Sequence, residues 1–312
     1  MKRVLTIALA FACLTACIDK DPSWRISWET PVDPGGRVTP TPHPGDDPGS
    51  TDPDKPLPEV VELMQAFTEE FDSDGKANFN YREKAEDFRY YPAFPSLTES
   101  DKTILMLRLD PADPAGRAGG AELSSKECTY YGSYGIRLKL PDITKAQPKL
   151  GAAFTFNVEG SDSKCGITRI QMQWRPANPA VLHVSTATGE ESAPNTFERT
   201  IDLAKGSAIS TTGEIASVPA IKDFNAAGRF YLYGFDWYED HLDWWVSPTT
   251  AENKTVLLSL DHDIPAVPGY LCAGFYHSGD IPAHKVDGST QTPKYPFELE
   301  IDWISYSPFD HE

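Results

Sequence analysis

Basic side chains are scarce in this chain. Twenty-eight Lys and Arg stand against 46 Asp and Glu, a net charge of −18. Nucleic acid is therefore excluded as an expected partner, because a phosphate backbone is held by clustered cations. The same balance disfavours anionic membrane surfaces and acidic polysaccharides. Cysteine is sparse too, with five in all. Cys13 and Cys17 lie at the extreme N-terminus, which leaves Cys128, Cys165 and Cys272. Three thiols allow at most one disulfide, and their spacing fits no zinc site. The sequence has no H-E-x-x-H, no Walker loop and no G-x-S-x-G elbow. Asp72-Ser73-Asp74-Gly75 opens like a calcium loop, but its glycine comes too early and no glutamate closes it. Long apolar runs are missing as well. Val4 to Leu14 is too short to span a bilayer, and nothing later is apolar enough.

What that short run does carry is an address. Lys2 and Arg3 precede it, and it ends at Leu14-Thr15-Ala16-Cys17. This resembles a bacterial lipoprotein signal, which implies removal of residues 1–16 and lipidation of Cys17. Several acyl chains, at roughly 0.8 kcal/mol per buried methylene, would hold the chain on a membrane. Ordinary secretion, with Cys17 a bystander, is the alternative. Asp19 and Asp21 resemble the export signal of surface lipoproteins, so the expected location is the bacterial outer membrane or cell surface. Ten of the 27 prolines lie between Pro22 and Pro58. Residues 17–58 therefore read as a semi-extended tether that cannot bury a core. Residues 59–312 are enough for one large β domain.

Nearly every periodic stretch in that domain has period two. Strands are expected at 103–109, 134–140, 152–158, 167–174, 181–186, 230–237, 242–246, 257–260, 270–277 and 297–306, separated by Gly, Pro, Asn and Asp clusters. Only 60–70 has a helical look. The pattern predicts an all-β antiparallel sandwich.

Three segments, in order, carry a family resemblance. Tyr130-Tyr131-Gly132-Ser133-Tyr134-Gly135-Ile136-Arg137-Leu138-Lys139 is similar to the Y-G-x-Y-E-x-R-x-K strand of glycoside hydrolase family 16. Phe224 to Phe230, running into Tyr233-Gly234-Phe235-Asp236-Trp237 and Leu242-Asp243-Trp244-Trp245-Val246, resembles that family's aromatic hairpin. Glu300-Ile301-Asp302-Trp303-Ile304-Ser305-Tyr306 resembles its closing strand. The resemblance spans roughly residues 71–308 and is closest to the bacterial lichenase branch. It implies a concanavalin A-like jelly roll of two curved sheets with a concave glycan cleft.

Placed by that resemblance, Gly166 to Trp174 falls on the strand that reads E-x-D-x-E in active members. Those enzymes cleave with retention, using two carboxylates about 5–5.5 Å apart. Alternate positions on one strand put all three acids on one face. Here the positions hold Arg169, Gln171 and Gln173. Glutamine neither gives nor takes a proton, and arginine stays charged at any relevant pH. A register slip of one restores no acid. Gly135 likewise stands where the family has Glu, Ser124 about where the lichenase branch has an Arg, and residues 205–222 read as an insertion.

The resemblance places Phe154, Phe156 and Phe275 as rings lining the cleft, with His277 beside Phe275. His183 shares a face with Arg169, Gln171 and Gln173. Aromatic rings stack on sugar C–H faces, while Gln, Arg and His pair with hydroxyls. The plainer reading makes Phe154 and Phe156 core. Trp237, Trp244, Trp245 and Trp303 read as core. Asp302 matches a position that in several members helps hold a structural calcium, or else is a surface residue. No other cofactor is implied. Three functions stay open: a surface lipoprotein that binds a polysaccharide or glycan without cleaving it, in a glycan-uptake complex or alone; an endo-β-glycanase using other carboxylates, among Glu127, Glu159, Asp280, Glu298 and Glu300; and a structural or adhesive surface protein.

Overall fold

The computed structural model describes residues 63–71, 77–81, 89–90, 94–97, 103–109, 119–142, 152–162, 166–277 and 297–309. The lipoprotein signal at 1–16, Cys17 and the tether at 17–58 lie outside them. Two sheets face each other. The smaller runs in the order β16 (Thr255–Leu260), β15 (Leu242–Ser247), β14 (Tyr231–Trp237), β7 (Gly132–Lys139), β18 (Phe297–Pro308), β5 (Thr103–Leu109), β4 (Phe94–Leu97), with β1 (Phe67–Glu69) also on β18. The larger runs β13 (Ile215–Ser217), β12 (Ser207–Ser210), β11 (Asn195–Asp202), β10 (Val181–Gly189), β9 (Gly166–Trp174), β8 (Ala152–Asp162), β17 (Tyr270–His277), β6 (Gly119–Ser125), β2 (Phe79–Tyr81), and β3 (Arg89–Tyr90) joins β6 as a short parallel pair. All other pairings between strands are antiparallel. This is the expected all-β jelly-roll sandwich. No helix among the described residues is long and apolar enough to cross a membrane.

Alternation builds the core. Ile170, Met172 and Trp174 of β9, Leu182 and Val184 of β10, and Tyr233 and Phe235 of β14 all point between the sheets and belong to one buried cluster. Removing such surface from water contributes roughly 25 cal/mol per Å². Several expected strands lengthen: β8 runs to Asp162, β10 to Gly189 and β18 to Pro308. The helical look of 60–70 does not become a helix in its described part. Leu63 bridges Cys128, and Phe67–Glu69 pairs with β18 instead, because Phe67 packs edge-on against Phe79. The inserted segment at 205–222 forms β12 and β13, a hairpin on one edge of the larger sheet.

Of the four expected core tryptophans, Trp237 and Trp244 sit between the sheets. Trp245 is buried, but on the outer face of the smaller sheet, against Gly234. Trp303 is half-buried on that same outer face, against Gly135. Gly135 and Gly234 are cross-strand partners, so two indoles lie over one pair of glycines. A β-carbon at Gly234 would fall 2.0 Å from the Tyr134 carbonyl oxygen and 2.3 Å from the Trp245 ring. At Gly135 a β-carbon would fall 2.9 Å from Ser305 Oγ and 3.2 Å from the Trp303 ring, both side chains.

Candidate functional site

The outer face of the larger sheet collects the polar half of each alternating strand. On β9, Arg169, Gln171 and Gln173 are half-exposed, while Ile170, Met172 and Trp174 are sealed in the core. The antiparallel register extends each position into a row across the sheet. Gln171 lies between Asn157 of β8 and Ser185 of β10, and the row continues to Glu198 of β11. Gln173 lies between Thr155 and His183, and His183 faces Thr200. Arg169 lies between Glu159 and Ala187. Exposure falls toward β6: Thr155, Asn157, Glu159, Cys272 and Glu122 are all buried although they point outward.

One ion pair joins β8 and β9 on this face. Arg169 Nε donates to Glu159 Oε1 at 3.1 Å. Burial raises the Glu159 carboxyl above its usual range, the Arg169 cation pulls it back, and the nearby Glu122 carboxylate adds a smaller push upward. Burial is the largest of these, since removing a charge from water disfavours the charged form. The His183 ring Nδ1 is 2.9 Å from Thr200 Oγ1. Burial, helped by Arg175, lowers its pKa to about 4, so the imidazole is neutral near pH 7 with one donor and one acceptor nitrogen. Asn157 Oδ1 is buried and has no hydrogen-bond partner among the described residues.

Three of the expected site residues are elsewhere. Phe154, Phe156 and Phe275 have no exposed surface and belong to the core. The register gives the reason. Phe154 pairs with Trp174, Phe156 with Met172 and Phe275 with Phe154, all inward positions. Thr155 and Asn157 are their outward neighbours. His277 pairs with Ala152 at the end of β17, and its side chain lies outside the described residues. The Asp302 carboxylate accepts a hydrogen bond from Arg137 Nη1 on the outer face of the smaller sheet. Among the described residues no group of three or more His, Cys, Asp or Glu is placed to hold a metal. No disulfide joins Cys128 and Cys272, and Cys165 lies outside the described residues.

Of the other carboxylates, Glu159 is on the outer face of the larger sheet. Glu127 is exposed beyond β6, Glu298 is exposed on β18, and Glu300 pairs with Lys139 on the smaller sheet. Asp280 lies outside the described residues. Sequence reasoning missed Glu122, Thr155, Asn157 and Thr200. The signal was present: Phe154, Phe156 and Val158 alternate with Thr155, Asn157 and Glu159, which assigns the second set to the outer face.

The arrangement offers hydrogen bonds rather than proton transfer at the three β9 positions. Amides, hydroxyls and a neutral imidazole line two neighbouring rows, the Glu198 carboxylate ends one of them, and the Arg169–Glu159 ion pair borders them.

No protein-family model matches the chain, and no curated protein matches it. Solved structures do. The chain is similar to a Bacillus licheniformis β-glucanase, with 15% identity and a TM-score of 0.57 over 79% of this chain and 99% of that one. It is similar to a prokaryotic β-1,3-1,4-glucanase (lichenase) from a mouse hindgut metagenome, with 18% identity and a TM-score of 0.56 over 79% and 100%. A Bacteroides ovatus mixed-linkage glucan glycoside hydrolase of family 16, solved in complex with product, aligns with 13% identity and a TM-score of 0.54 over 77% and 99%. At these identities the likeness is one of fold.

Proposed function

We propose that this chain is a lipid-anchored surface protein that holds a β-linked glycan on the outer face of its larger sheet and does not cleave it. One observation carries the reading. Arg169, Gln171 and Gln173 stand half-exposed on the strand where the resembling hydrolases keep their acids, flanked by Thr155, Asn157, His183, Ser185 and Thr200. Glutamine and hydroxyl side chains pair with sugar hydroxyls, while neither Arg nor Gln replaces a general acid or a carboxylate nucleophile. The structural relatives named as β-glucanases make β-glucans the first ligands to try. The test is titration of the full-length chain with mixed-linkage β-glucan, galactan and host-type oligosaccharides, scored for affinity and for new reducing ends. Binding with no product supports the reading. Product at a rate that survives purification overturns it.

A second reading, hydrolysis by relocated carboxylates, has its own observation. Glu159 and Glu122 share the outer face and feel each other's charge. They are offset by two strands and four positions along the sheet, and Glu159 is held by Arg169. A nucleophile must be free to attack, so the ion pair argues against it. Product formation abolished by Glu159→Gln would establish this reading in place of the first.

On the same proposal, Cys17 carries the lipid anchor, residues 17–58 are the tether, and the protein acts at the outer membrane or cell surface, with an uptake complex as a partner. Cys17→Ala should move the protein from the membrane to the soluble fraction. Membrane retention in that variant would refute the anchor.

A further inference from the structure

The row through Gln173, His183 and Thr200 does not stop at β11. It continues to Ile209 of β12 and Ile215 of β13. These two isoleucines are paired across the hairpin and are 40% and 70% exposed. Among the described residues the only other large exposed hydrophobic side chain is Val256, on the smaller sheet. Both isoleucines belong to the segment that the sequence reads as an insertion. Resting on the glycan-binding reading above, we propose that the β12–β13 hairpin is an added contact surface that lengthens the glycan track and grips aliphatic C–H surface of the ligand.

The geometry fits an extended chain laid across the strands. At about 4.8 Å per strand, Ile209 lies roughly 14 Å and Ile215 roughly 19 Å from Gln173 along the row. A ligand gripped at Gln173 and His183 must therefore continue for several sugars to reach the hairpin. The neighbours suit a sugar: Ser207 and Ser217 flank the isoleucines on the same face, and Thr200 precedes them in the row. The matching surface is either the C–H face of a pyranose ring or an acyl group esterified to it. Both hide apolar area that is otherwise wet. A protein occupant fits less well. Two side chains are a small part of the roughly 800 Å² that each partner of a stable interface contributes. The edge strand β13 has three residues, too short to template a strand from another chain.

The test is calorimetric titration of the full-length chain with mixed-linkage gluco-oligosaccharides of four and of eight sugars, and with acetylated and deacetylated glucomannan fragments of matched length. Wild type should bind the octamer at least fivefold tighter than the tetramer. Ile209→Thr/Ile215→Thr should lose that gain and keep the tetramer affinity. Ile215→Thr alone, at an exposed edge position, is the variant to use if the double variant melts early. A larger loss on acetylated fragments assigns the contact to acyl groups, and an equal loss assigns it to ring faces; both support the hairpin's role. Unchanged octamer affinity in the variants overturns the hairpin inference and leaves the glycan-binding reading standing. A variant that alters sedimentation of the protein instead of affinity overturns it in favour of a contact between copies. No binding by wild type to any fragment removes both.

Discussion

Arg169 on β9 and Glu159 on β8 face each other across the register, with Nε 3.1 Å from Oε1, at the edge of the polar rows. The cation on β9 is thus engaged by a carboxylate on the adjoining strand. Glu159 sits above its usual pKa because burial outweighs the pull of Arg169. A carboxyl with a raised folded pKa favours folding most while protonated, and that contribution is lost as pH rises through the folded value. Arg169→Gln removes the largest downward influence, so the Glu159 pKa should rise further. The variant should lose about 1–3 kcal/mol at pH 7 and less at pH 4. Carboxyl-carbon NMR titration with urea unfolding at both pH values checks this; an equal loss at both would contradict it.

His183 makes the opposite prediction. Its pKa of about 4 lies below that of a free imidazole, so the folded state binds fewer protons than the unfolded one. Stability should be fully present above about pH 6.5 and fall as pH drops toward 4. His183→Gln should flatten that part of the profile. An imidazole NMR titration showing a midpoint near 6.5 would refute the buried, neutral ring.

Phe154, Phe156 and Phe275 should behave as core residues. Alanine at any of them should cost roughly 3–5 kcal/mol in chemical unfolding. A well-folded Phe275→Ala protein of near-normal stability that had lost ligand affinity would return the ring to the binding face.

Gly234→Ala drives a β-carbon into the Tyr134 carbonyl and the Trp245 ring, and backbone cannot yield cheaply. A loss of about 3 kcal/mol or more is expected. Gly135→Ala meets Ser305 Oγ at 2.9 Å and the edge of the Trp303 ring at 3.2 Å, both side chains that can move, so about 1 kcal/mol is expected. Thermal melts of the two variants should rank in that order.

Strand positions and sheet architecture were legible because one face of each strand is apolar and period two is unmistakable in stretches such as Ile167 to Trp174. That Arg169, Gln171 and Gln173 share one face of β9 was legible for the same reason, since a strand leaves no freedom in which residues share a face. The aromatic lining was misread where likeness to the family was weighed above local alternation: Phe154-Thr155-Phe156-Asn157 already assigns its rings inward. The ion pair of Asp302 was not legible because its partner, Arg137, is 165 residues away in sequence. The strands β11 to β13 were missed because Asn195–Asp202 and the inserted hairpin are polar or short. Glu122 becomes visible as a site residue only when the register lays β6, β17, β8 and β9 side by side.

Binding without cleavage is tested most directly by one titration. The full-length chain and its Gln171→Ala/Gln173→Ala variant are mixed with mixed-linkage β-glucan oligosaccharide, with heat and reducing ends recorded together. Wild type should bind and release nothing, and the variant should bind about fivefold or more weakly, as loss of two hydrogen bonds of roughly 0.5–1.5 kcal/mol each requires. Reducing ends released by wild type, or equal affinity in the two proteins, would contradict a non-cleaving glycan site on β9.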